Sequence, residues 1–288
     1  MTITASRPIT EVRAARSARR RWWRGKWPLA ALLAVLSVLT VSPFVAMFIV
    51  ALSPAGRPTV PVRWPDSLTL DNITRVLESS GFVTWTINSL VYALVSVVII
   101  LLTSSMAGYA FAKKRFPGRE AMFWTFLATM MVPFQATLIP TFVLVNSLGG
   151  VDTFWGLIVP TLANSQAVFL MRQFILGLPD ELFDAAKVDG ASEWRVYWTI
   201  VVPLTKPILA TLGVFVFLWH WNDFLWPLVV GQSDATRTLT VGLTTLRTEE
   251  LQLSMLMSSA AVSVLPCLLV FFLLQRYLVN SIAMTGLK

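Results

Sequence analysis

Residues 85–111 read WTINSLVYALVSVVIILLTSSMAGYAF, a stretch that contains no Asp, Glu, Lys or Arg. About 20 apolar residues in a helix suffice to cross the hydrocarbon core of a bilayer, because each residue rises about 1.5 Å along the axis. A helix also satisfies its backbone hydrogen bonds within the segment, as the bilayer core requires. This stretch therefore predicts a membrane-spanning helix.

Five further apolar stretches have the same character. The fourth stretch in chain order is the weakest, because it is short and is interrupted by Asn164, Ser165 and Gln166. The six predicted spans are Pro28–Leu52, Trp85–Phe111, Ala121–Val145, Thr153–Leu170, Pro203–Val230 and Ser258–Leu278. The predicted fold class is therefore an all-α, polytopic membrane protein with six transmembrane helices.

The composition also indicates a membrane protein. The chain has 288 residues, of which 56% are hydrophobic and 13% are charged, whereas soluble domains carry about 25% charged residues. The long apolar runs exclude the disordered class. Cys267 and His220 are the single residues of their types, so the sequence predicts neither an intrachain disulfide nor a thiol-based metal site.

The net charge of +8 comes almost entirely from residues 1–27, which hold eight basic side chains and one acidic side chain. Basic flanks orient a first span and attract anionic lipid at about 1 kcal/mol per charge. We interpret 1–27 as a basic cytoplasmic N-terminal segment that contacts membrane lipid rather than nucleic acid. Residues 28–288 then form the membrane domain.

The distribution of basic residues predicts the orientation, since Lys and Arg are retained on the cytoplasmic side. With the N-terminus inside, eighteen Lys and Arg fall in inner segments and five in outer segments. Both termini are therefore expected in the cytoplasm, and the protein in the cytoplasmic (inner) membrane. In the outer segment 53–84, a short helix is expected to begin at Asp71. The outer segment 231–257 has a β-like stretch at Thr238–Val241.

The predicted inner connection 171–203 is far longer than most helix connections, which have about 2–8 residues. Pro179 suits a first helical turn, and Asp180 and Glu181 favour the positive end of a helix dipole. Leu182, Ala185 and Ala186 have the spacing of a single helix face.

A second helix is predicted to follow a sharp turn in this connection. Gly190 can end the first helix in a left-handed conformation. Ser192 can then cap a helix at Glu193–Thr199, in which Trp194 and Trp198 share a face. We call residues 180–199 the elbow.

The elbow carries a recognisable spacing. Asp184-Ala185-Ala186 is followed after three residues by Gly190, and after nine more by Ile200-x-Val202-Pro203. This pattern resembles the EAA loop of ABC importer permeases, from which it departs at Asp184, where Glu is usual, and at Val202, where Leu is usual.

Other stretches are similar to the carbohydrate-type permeases of this family, and most of all to their MalG-like members. The resemblance extends from about residue 53 to the C-terminus. The stretches that carry it are AGYAFAK at 107–113 with RFPG at 115–118, MVPFQ at 131–135 with IP at 139–140, WNDFLWPL at 221–228 and QRY at 275–277.

The resemblance implies a function and partners. A member of this family is a permease subunit of an ATP-binding-cassette importer, and it moves a carbohydrate (a sugar, oligosaccharide or polyol-phosphate) by alternating access. The implied partners are a second homologous permease, two ATP-binding subunits and an extracytoplasmic solute-binding protein. The elbow would dock as a coupling helix into a cleft of an ATP-binding subunit. The residues assigned to this coupling loop are Asp184, Ala185, Ala186, Asp189, Gly190, Ala191, Ile200 and Pro203.

The chain has no phosphate-binding loop of the G-x-x-x-x-G-K-[ST] type, and its serines, histidine and carboxylates do not form a nucleophilic pattern. It is therefore expected to have no catalytic residues and no cofactor of its own. ATP and Mg would bind to the partner ATPase.

Polar residues inside the predicted spans are candidates for the translocation path, since a charge at a span centre costs about 2.5–3.5 kcal/mol and usually faces protein or water. His220 lies in the fifth span with Asn222 and Asp223. Three interpretations remain open: sugar contact, hydrogen bonding between helices, and a proton relay. The candidate path residues are Trp221, Asn222, Asp223, Gln135 and Asn88.

Two other functions remain as alternatives. An ion-coupled secondary transporter would use His220 and Asp223. A membrane anchor or sensor would not transport any solute.

Overall fold

The computed structural model describes residues 27–54, 67–79, 81–248 and 253–285. The described residues form helices and the turns that join them. The α-helices are α1 (Trp27–Ala51), α2 (Asp71–Glu78), α3 (Phe82–Lys113), α4 (Arg119–Ala128), α5 (Phe134–Ser147), α6 (Phe154–Ile158), α7 (Ser165–Leu176), α8 (Asp180–Val188), α9 (Glu193–Val196), α10 (Val202–Asn222), α11 (Leu225–Val230), α12 (Leu239–Thr248) and α13 (Leu253–Thr285).

Within the described residues, four helices are long and apolar enough to cross a membrane: Trp27–Ala51, Phe82–Lys113, Glu193–Asn222 and Ser254–Gln275. Two bent pairs, Arg119–Met131 with Phe134–Ser147 and Phe154–Thr161 with Ser165–Leu176, raise the number to six when each pair is one span. The predicted all-α, six-span fold class is thus confirmed.

The third span, predicted as Ala121–Val145 with distortions at its prolines, is sharply bent. Its two halves meet at an angle of 101°. Pro133 lies at the break, with an extended backbone in front of α5. Proline lacks the amide hydrogen that a continuing helix needs, and it also disfavours a helical conformation in the residue before it.

The fourth span is bent by 45° at its predicted polar interruption. Asn164 adopts an extended backbone there, and its Oδ1 accepts a 2.8 Å hydrogen bond from the amide of Ala167. The polar interruption is therefore the N-cap of a new helix, α7.

The fifth span differs from Pro203–Val230 at both ends. Its helix begins at Glu193, so the predicted second elbow helix is not separate but runs through a π-turn, Tyr197–Val201, into α10. The π-turn lies just before Pro203, which supplies no amide hydrogen to the ladder. At the other end the helix stops at Asn222, and α11 follows after a break at Asp223 and Phe224.

Two predictions on the outer segments have opposite outcomes. The short helix that opens at Asp71 is confirmed as α2. The β-like interpretation of Thr238–Val241 is wrong, since α12 begins at Leu239. Leu239 is buried against Trp85 and Phe217. This packing against neighbouring helices outweighs the preference of the local sequence for a strand.

Helix α3 is the central element, and it packs against α7 and α10. A Cβ placed on Gly108 of α3 would lie 2.7 Å from Cβ of Met171 in α7. Glycine at this position therefore permits the close approach of the two helices. Residues 1–26, most of the proline-rich stretch after Pro54, Glu249-Glu250 and the last three residues lie outside the described residues.

Candidate functional site

The first part of the elbow is α8, and its end has the geometry of a Schellman motif. The amide of Gly190 donates to the carbonyl of Lys187 at 3.0 Å, and the amide of Ala191 donates to the carbonyl of Ala186 at 2.9 Å. Gly190 has a φ of +69°, and a Cβ added there would meet nothing within 4 Å. The glycine is thus needed for its left-handed backbone and not for space.

The second predicted cap is confirmed as well. Ser192 has an extended backbone, and its hydroxyl accepts the amide of Arg195 at 3.4 Å. The helix that follows continues into the fifth span. The turn is therefore joined directly to a membrane-spanning helix, Glu193–Asn222.

The face of α8 that packs against the protein includes only one of the three residues predicted to share a face, namely Ala186. Phe183 and Ala186 are buried, whereas Leu182 is 42% exposed and Ala185 is also exposed. The ring of Phe183 stacks on Tyr109 at 6.0 Å between centroids. Because Phe183 removes more apolar surface from water than Leu182, it sets the rotation of the helix.

Two anchors join the elbow to the end of α3. Nζ of Lys113 donates to Asp180 at 2.6 Å and to the carbonyl of Leu178 at 2.8 Å. This hydrogen bond and the charge of Lys113 hold the pKa of Asp180 below its usual range. The hydroxyl of Tyr109 donates to Glu193 at 3.0 Å.

Further contacts complete the attachment. Glu193 also forms an ion pair with Lys114. The hydroxyl groups of Ser105 and Tyr197 lie 2.6 Å apart in a buried hydrogen bond. Both arms of the elbow are therefore fixed to α3, so that α3 and the elbow form one mechanical unit.

The eight predicted coupling residues lie in three kinds of position. Asp184, Ala185, Asp189 and Gly190 form an exposed tip, whereas Ala186 is buried beneath it. The remaining three, Ala191, Ile200 and Pro203, lie behind the turn and along the start of the fifth-span helix.

Sequence reasoning assigned no coupling role to two exposed apolar side chains beside this tip. Val188 is 87% exposed and Trp194 is 61% exposed. The sequence signal that could have indicated such a role is an apolar side chain within a mostly polar connecting segment.

The opposite end of α3 is fixed to the segment 231–238. Asn88 donates to the carbonyls of Asp234 and Arg237 at 3.2 and 2.9 Å, and the hydroxyl of Ser89 accepts the amide of Leu239 at 2.8 Å. One helix thus joins the elbow to the segment that leads into α12.

A cavity of about 790 Å³ lies where three helix breaks meet. Its wall contains residues from the break after α4, from the break before α7 and from the break after α10, together with Tyr92 of α3. Irregular backbone at membrane depth is tolerated where it is buried in protein or lines a cavity. The breaks in the third, fourth and fifth spans therefore have a common explanation.

Among the described residues that line the cavity, Asp223 is the acidic one. Its Oδ2 accepts a 2.9 Å hydrogen bond from the hydroxyl of Tyr92, and the backbone amides of Phe224 and Trp226 also face the carboxylate. Its carbonyl accepts the hydroxyl of Thr240 at 2.6 Å. Asp223 thus joins α3, α11 and α12 at the cavity.

His220 lies in the same wall and is buried. Its Nδ1 lies 2.8 Å from the carbonyl of Val216, and its Nε2 lies 3.2 Å from the hydroxyl of Thr161. Its ring meets Tyr92 edge-on at 4.9 Å.

Of the five predicted path residues, Asp223 lines this cavity and the others lie elsewhere. Trp221 is buried and donates to the carbonyl of Ser263 in α13 at 3.2 Å. Asn222 donates to the carbonyl of Leu218 in its own helix at 2.7 Å. Asn88 holds the segment 231–238, and Gln135 is exposed on α5.

Sequence reasoning missed Tyr92, Thr161 and Trp219 as residues of one wall. Tyr92 gave a weak signal, as a phenol in an otherwise apolar run. Within the described ranges, the structure brings no three His, Cys, Asp or Glu side chains together in a group that could hold a metal ion.

Comparison with known families decides the identity. The family described as "Binding-protein-dependent transport system inner membrane component" matches residues 100–284. The chain belongs to this family. It is therefore a multi-pass inner membrane component of a binding-protein-dependent transport system.

Two relatives of this transport component carry names that specify sugars. The arabinooligosaccharide transport permease AraQ of Halalkalibacterium halodurans is 39% identical over 226 residues, which cover 78% of this chain and 81% of the relative. The lactose transport permease LacG of Rhizobium radiobacter is 40% identical over 195 residues, which cover 67% of this chain and 71% of the relative.

A solved structure has the same fold as this transport component. It is a bacterial ABC transporter involved in the import of the acidic polysaccharide alginate, and it aligns with a TM-score of 0.78 at 24% identity. The alignment covers 96% of this chain and 99% of the other.

Proposed function

We propose that this chain is one permease subunit of an ATP-driven importer that moves a carbohydrate across the cytoplasmic membrane by alternating access. The names of the arabinooligosaccharide and lactose relatives support a carbohydrate as the substrate. ATP, with Mg, binds and is hydrolysed on a separate subunit, since this chain carries no phosphate-binding loop.

The elbow is the observation that carries this proposal. Its exposed tip at 184–190 is small and rigid, because a Schellman motif and the Ser192 cap fix the backbone on both sides of the turn. The exposed apolar side chain of Val188 lies within the tip, and that of Leu182 lies just before it; apolar side chains of this kind are suited to a cleft in a partner. In this proposal the ATP-binding subunit supplies the cleft.

Motion of the ATP-binding subunit would reach the membrane bundle by two routes. The first is the continuous helix that starts at Glu193 and forms the fifth span. The second is the pair of hydrogen-bonded anchors at Lys113 and Tyr109, through which the elbow would pull or push on α3. A push on the elbow would therefore move the second and fifth spans together, and these two spans flank the cavity.

The proposed assembly contains this chain, a second homologous permease, two ATP-binding subunits and an extracytoplasmic solute-binding protein. Helix α1 exposes most of its apolar side chains, which suits it to contact lipid or the second permease. With both termini in the cytoplasm, the segment 231–248 lies on the outer side, where the binding protein would dock.

Uptake by the complete importer in proteoliposomes tests the proposal. ATP is enclosed in the lumen with the ATP-binding subunits facing inward, and uptake of tritiated arabinotriose and lactose is measured with the solute-binding protein outside. We expect accumulation of at least one sugar that continues when an ionophore collapses the proton gradient. A secondary transporter that uses His220 and Asp223 would stop, and an anchor or sensor would accumulate neither sugar.

A further inference from the structure

We propose that the cavity at the three helix breaks is a carbohydrate subsite of this chain itself, in which Asp223 and His220 accept hydrogen bonds from sugar hydroxyl groups and Trp219 packs against the sugar ring. The proposal rests on the proposed function, because it assigns part of the transported carbohydrate to this permease rather than to its homologous partner.

The carboxylate of Asp223 has room for another donor. An ionised carboxylate offers about four lone pairs. The hydroxyl of Tyr92 occupies one of them, and the backbone amides of Phe224 and Trp226 lie near the carboxylate. A sugar hydroxyl that enters the cavity can donate to the remainder.

The hydroxyl of Thr161 has one proton for two acceptors. It lies 2.8 Å from the carbonyl of Ile158 and 3.2 Å from Nε2 of His220. In neutral His220, Nδ1 must carry the proton, because its 2.8 Å neighbour is the carbonyl of Val216, which can only accept. Nε2 is then an acceptor, and Thr161 cannot satisfy both it and Ile158. A sugar hydroxyl would supply the missing donor.

Donors are present on the other side of the cavity. Asn164 lines the cavity, and its Oδ1 accepts the amide of Ala167, so its amino group is the part of the side chain that can donate to a ligand. The side chain of Gln166 is exposed in the same wall. Hydroxyl groups both donate and accept, so one sugar ring can satisfy the two sides together.

The remaining described wall is apolar and includes aromatic rings. Trp219 is 60% exposed and Phe134 is 38% exposed, and both line the cavity. Lysine and arginine are absent from the described wall, so a phosphate or carboxylate group of a substrate would find no counter-charge here. The wall therefore fits the uncharged, hydroxylated part of a carbohydrate.

The number of polar groups argues against a lipid chain as the occupant. Thr129, Ser165 and Thr137 add three hydroxyl groups to those of Tyr92 and Thr161. Ligand sites combine apolar walls with a few convergent polar groups. Each of these hydroxyl groups already has a partner in the protein, but each keeps acceptor capacity that a sugar hydroxyl can use and a hydrocarbon chain cannot.

Protection of an engineered thiol tests the subsite without relying on transport. In the complete importer with Cys267→Ser, Thr137→Cys places a thiol in the cavity wall, and a charged methanethiosulfonate reagent measures its reactivity. Leu148→Cys is the matched control, because Leu148 is 64% exposed and lies outside the wall. We expect arabinotriose or lactose, at several times its Kd, to slow the reaction at residue 137 at least about fivefold and to leave the control rate unchanged.

Second substitutions in the Thr137→Cys chain locate the contact. Asp223→Asn keeps the size of the side chain and Trp219→Leu removes a largely exposed ring, and each should weaken the protection at least about fivefold. We expect sn-glycerol 3-phosphate to give no protection.

Three results would overturn the subsite: equal rates with and without both sugars, protection that survives both second substitutions, or a thiol at residue 137 that reacts with lipophilic but not with charged reagents, as in a lipid-filled cavity. Failure of the proposed function is a separate outcome, namely no ATP-driven uptake by the unmodified importer.

Discussion

The hydroxyl of Tyr92 in α3 donates a 2.9 Å hydrogen bond to Oδ2 of Asp223 at the break in the fifth span, across 131 residues of sequence. This bond joins the helix that carries the elbow to the point where the fifth span is interrupted. Tyr92 is fully buried, so the loss of the bond leaves a carboxylate without one of its donors.

Tyr92→Phe should therefore lower the free energy of unfolding by about 1.5–3 kcal/mol, the range for a hydrogen bond to a charged group. Tyr197→Phe is the comparison, because it removes a hydrogen bond to the neutral hydroxyl of Ser105 and should cost only about 0.6 kcal/mol, the average for such bonds between membrane helices. Thermal unfolding in detergent measures both. Equal costs would mean that the carboxylate does not depend on Tyr92.

Gly190→Ala should reduce ATP-driven uptake severely while the protein still inserts into the membrane. The left-handed backbone at φ +69° costs a non-glycine residue about 1–2 kcal/mol, and the turn would relax and move the tip at 184–190. Gly149→Ala is the matched control, since Gly149 has a φ of +70° and the same free space around it.

Gly149 lies between α5 and α6, away from the elbow. Its substitution should cost similar stability but leave uptake near the wild-type level. A more drastic change, Gly190→Pro, should abolish uptake, whereas Asp184→Glu, which restores the usual family residue, should be nearly silent. Normal uptake by Gly190→Pro would contradict the coupling role.

Gly108→Ala should destabilise the bundle by about 1–3 kcal/mol, the cost of overpacking. The added Cβ would lie 2.7 Å from Cβ of Met171 and 3.0 Å from the backbone nitrogen of Arg172. In Gly213→Ala the nearest neighbour is a terminal carbon of Leu101 at 3.4 Å, so this control should be neutral or stabilising. Unfolding of the two variants in detergent provides the comparison, and a neutral Gly108→Ala would disprove the close helix approach.

Asp152 should make the stability of the protein depend on pH in the acidic range. Hydrogen bonds from Ser233 and Thr236 hold the pKa of this carboxyl below its ordinary value of 3.8. A carboxyl group whose pKa is lower in the folded protein stabilises the fold at pH values above its ordinary pKa. This contribution is lost as the pH falls through the pKa of the folded state.

The Tm difference between wild type and Asp152→Asn should therefore stay constant from about pH 7 to 5 and shrink below about pH 4. Asparagine tolerates the positive φ of 61° at this position, so the comparison isolates the charge. A difference that does not change with pH would mean that the carboxylate form is not required.

The elbow could be predicted closely because its signals are local. Gly190 and Ser192 act within a few residues of their own positions, and both have the predicted conformations. The burial of Phe183 in α8 was not predicted, since Phe183 packs against Tyr109, and that contact joins residues from two different helices.

The cavity could not be predicted for the same reason. Its wall joins Tyr92, Thr161 and Asp223 through breaks whose angles depend on tertiary packing. Hydropathy located the third span but not its 101° bend, although Pro133 marked the place. The β-like pattern at Thr238–Val241 failed because burial of Leu239 against α3 favours a helix.

Photo-crosslinking from the elbow tip tests the central claim most directly. In the Cys267→Ser chain, Val188→Cys is labelled with benzophenone maleimide in the complete importer, and Leu148→Cys is labelled as the control; both positions are strongly exposed. We predict that illumination joins residue 188 to an ATP-binding subunit and that residue 148 does not form this product. A crosslink from residue 188 to the solute-binding protein, or none to any ATP-binding chain, would contradict the account.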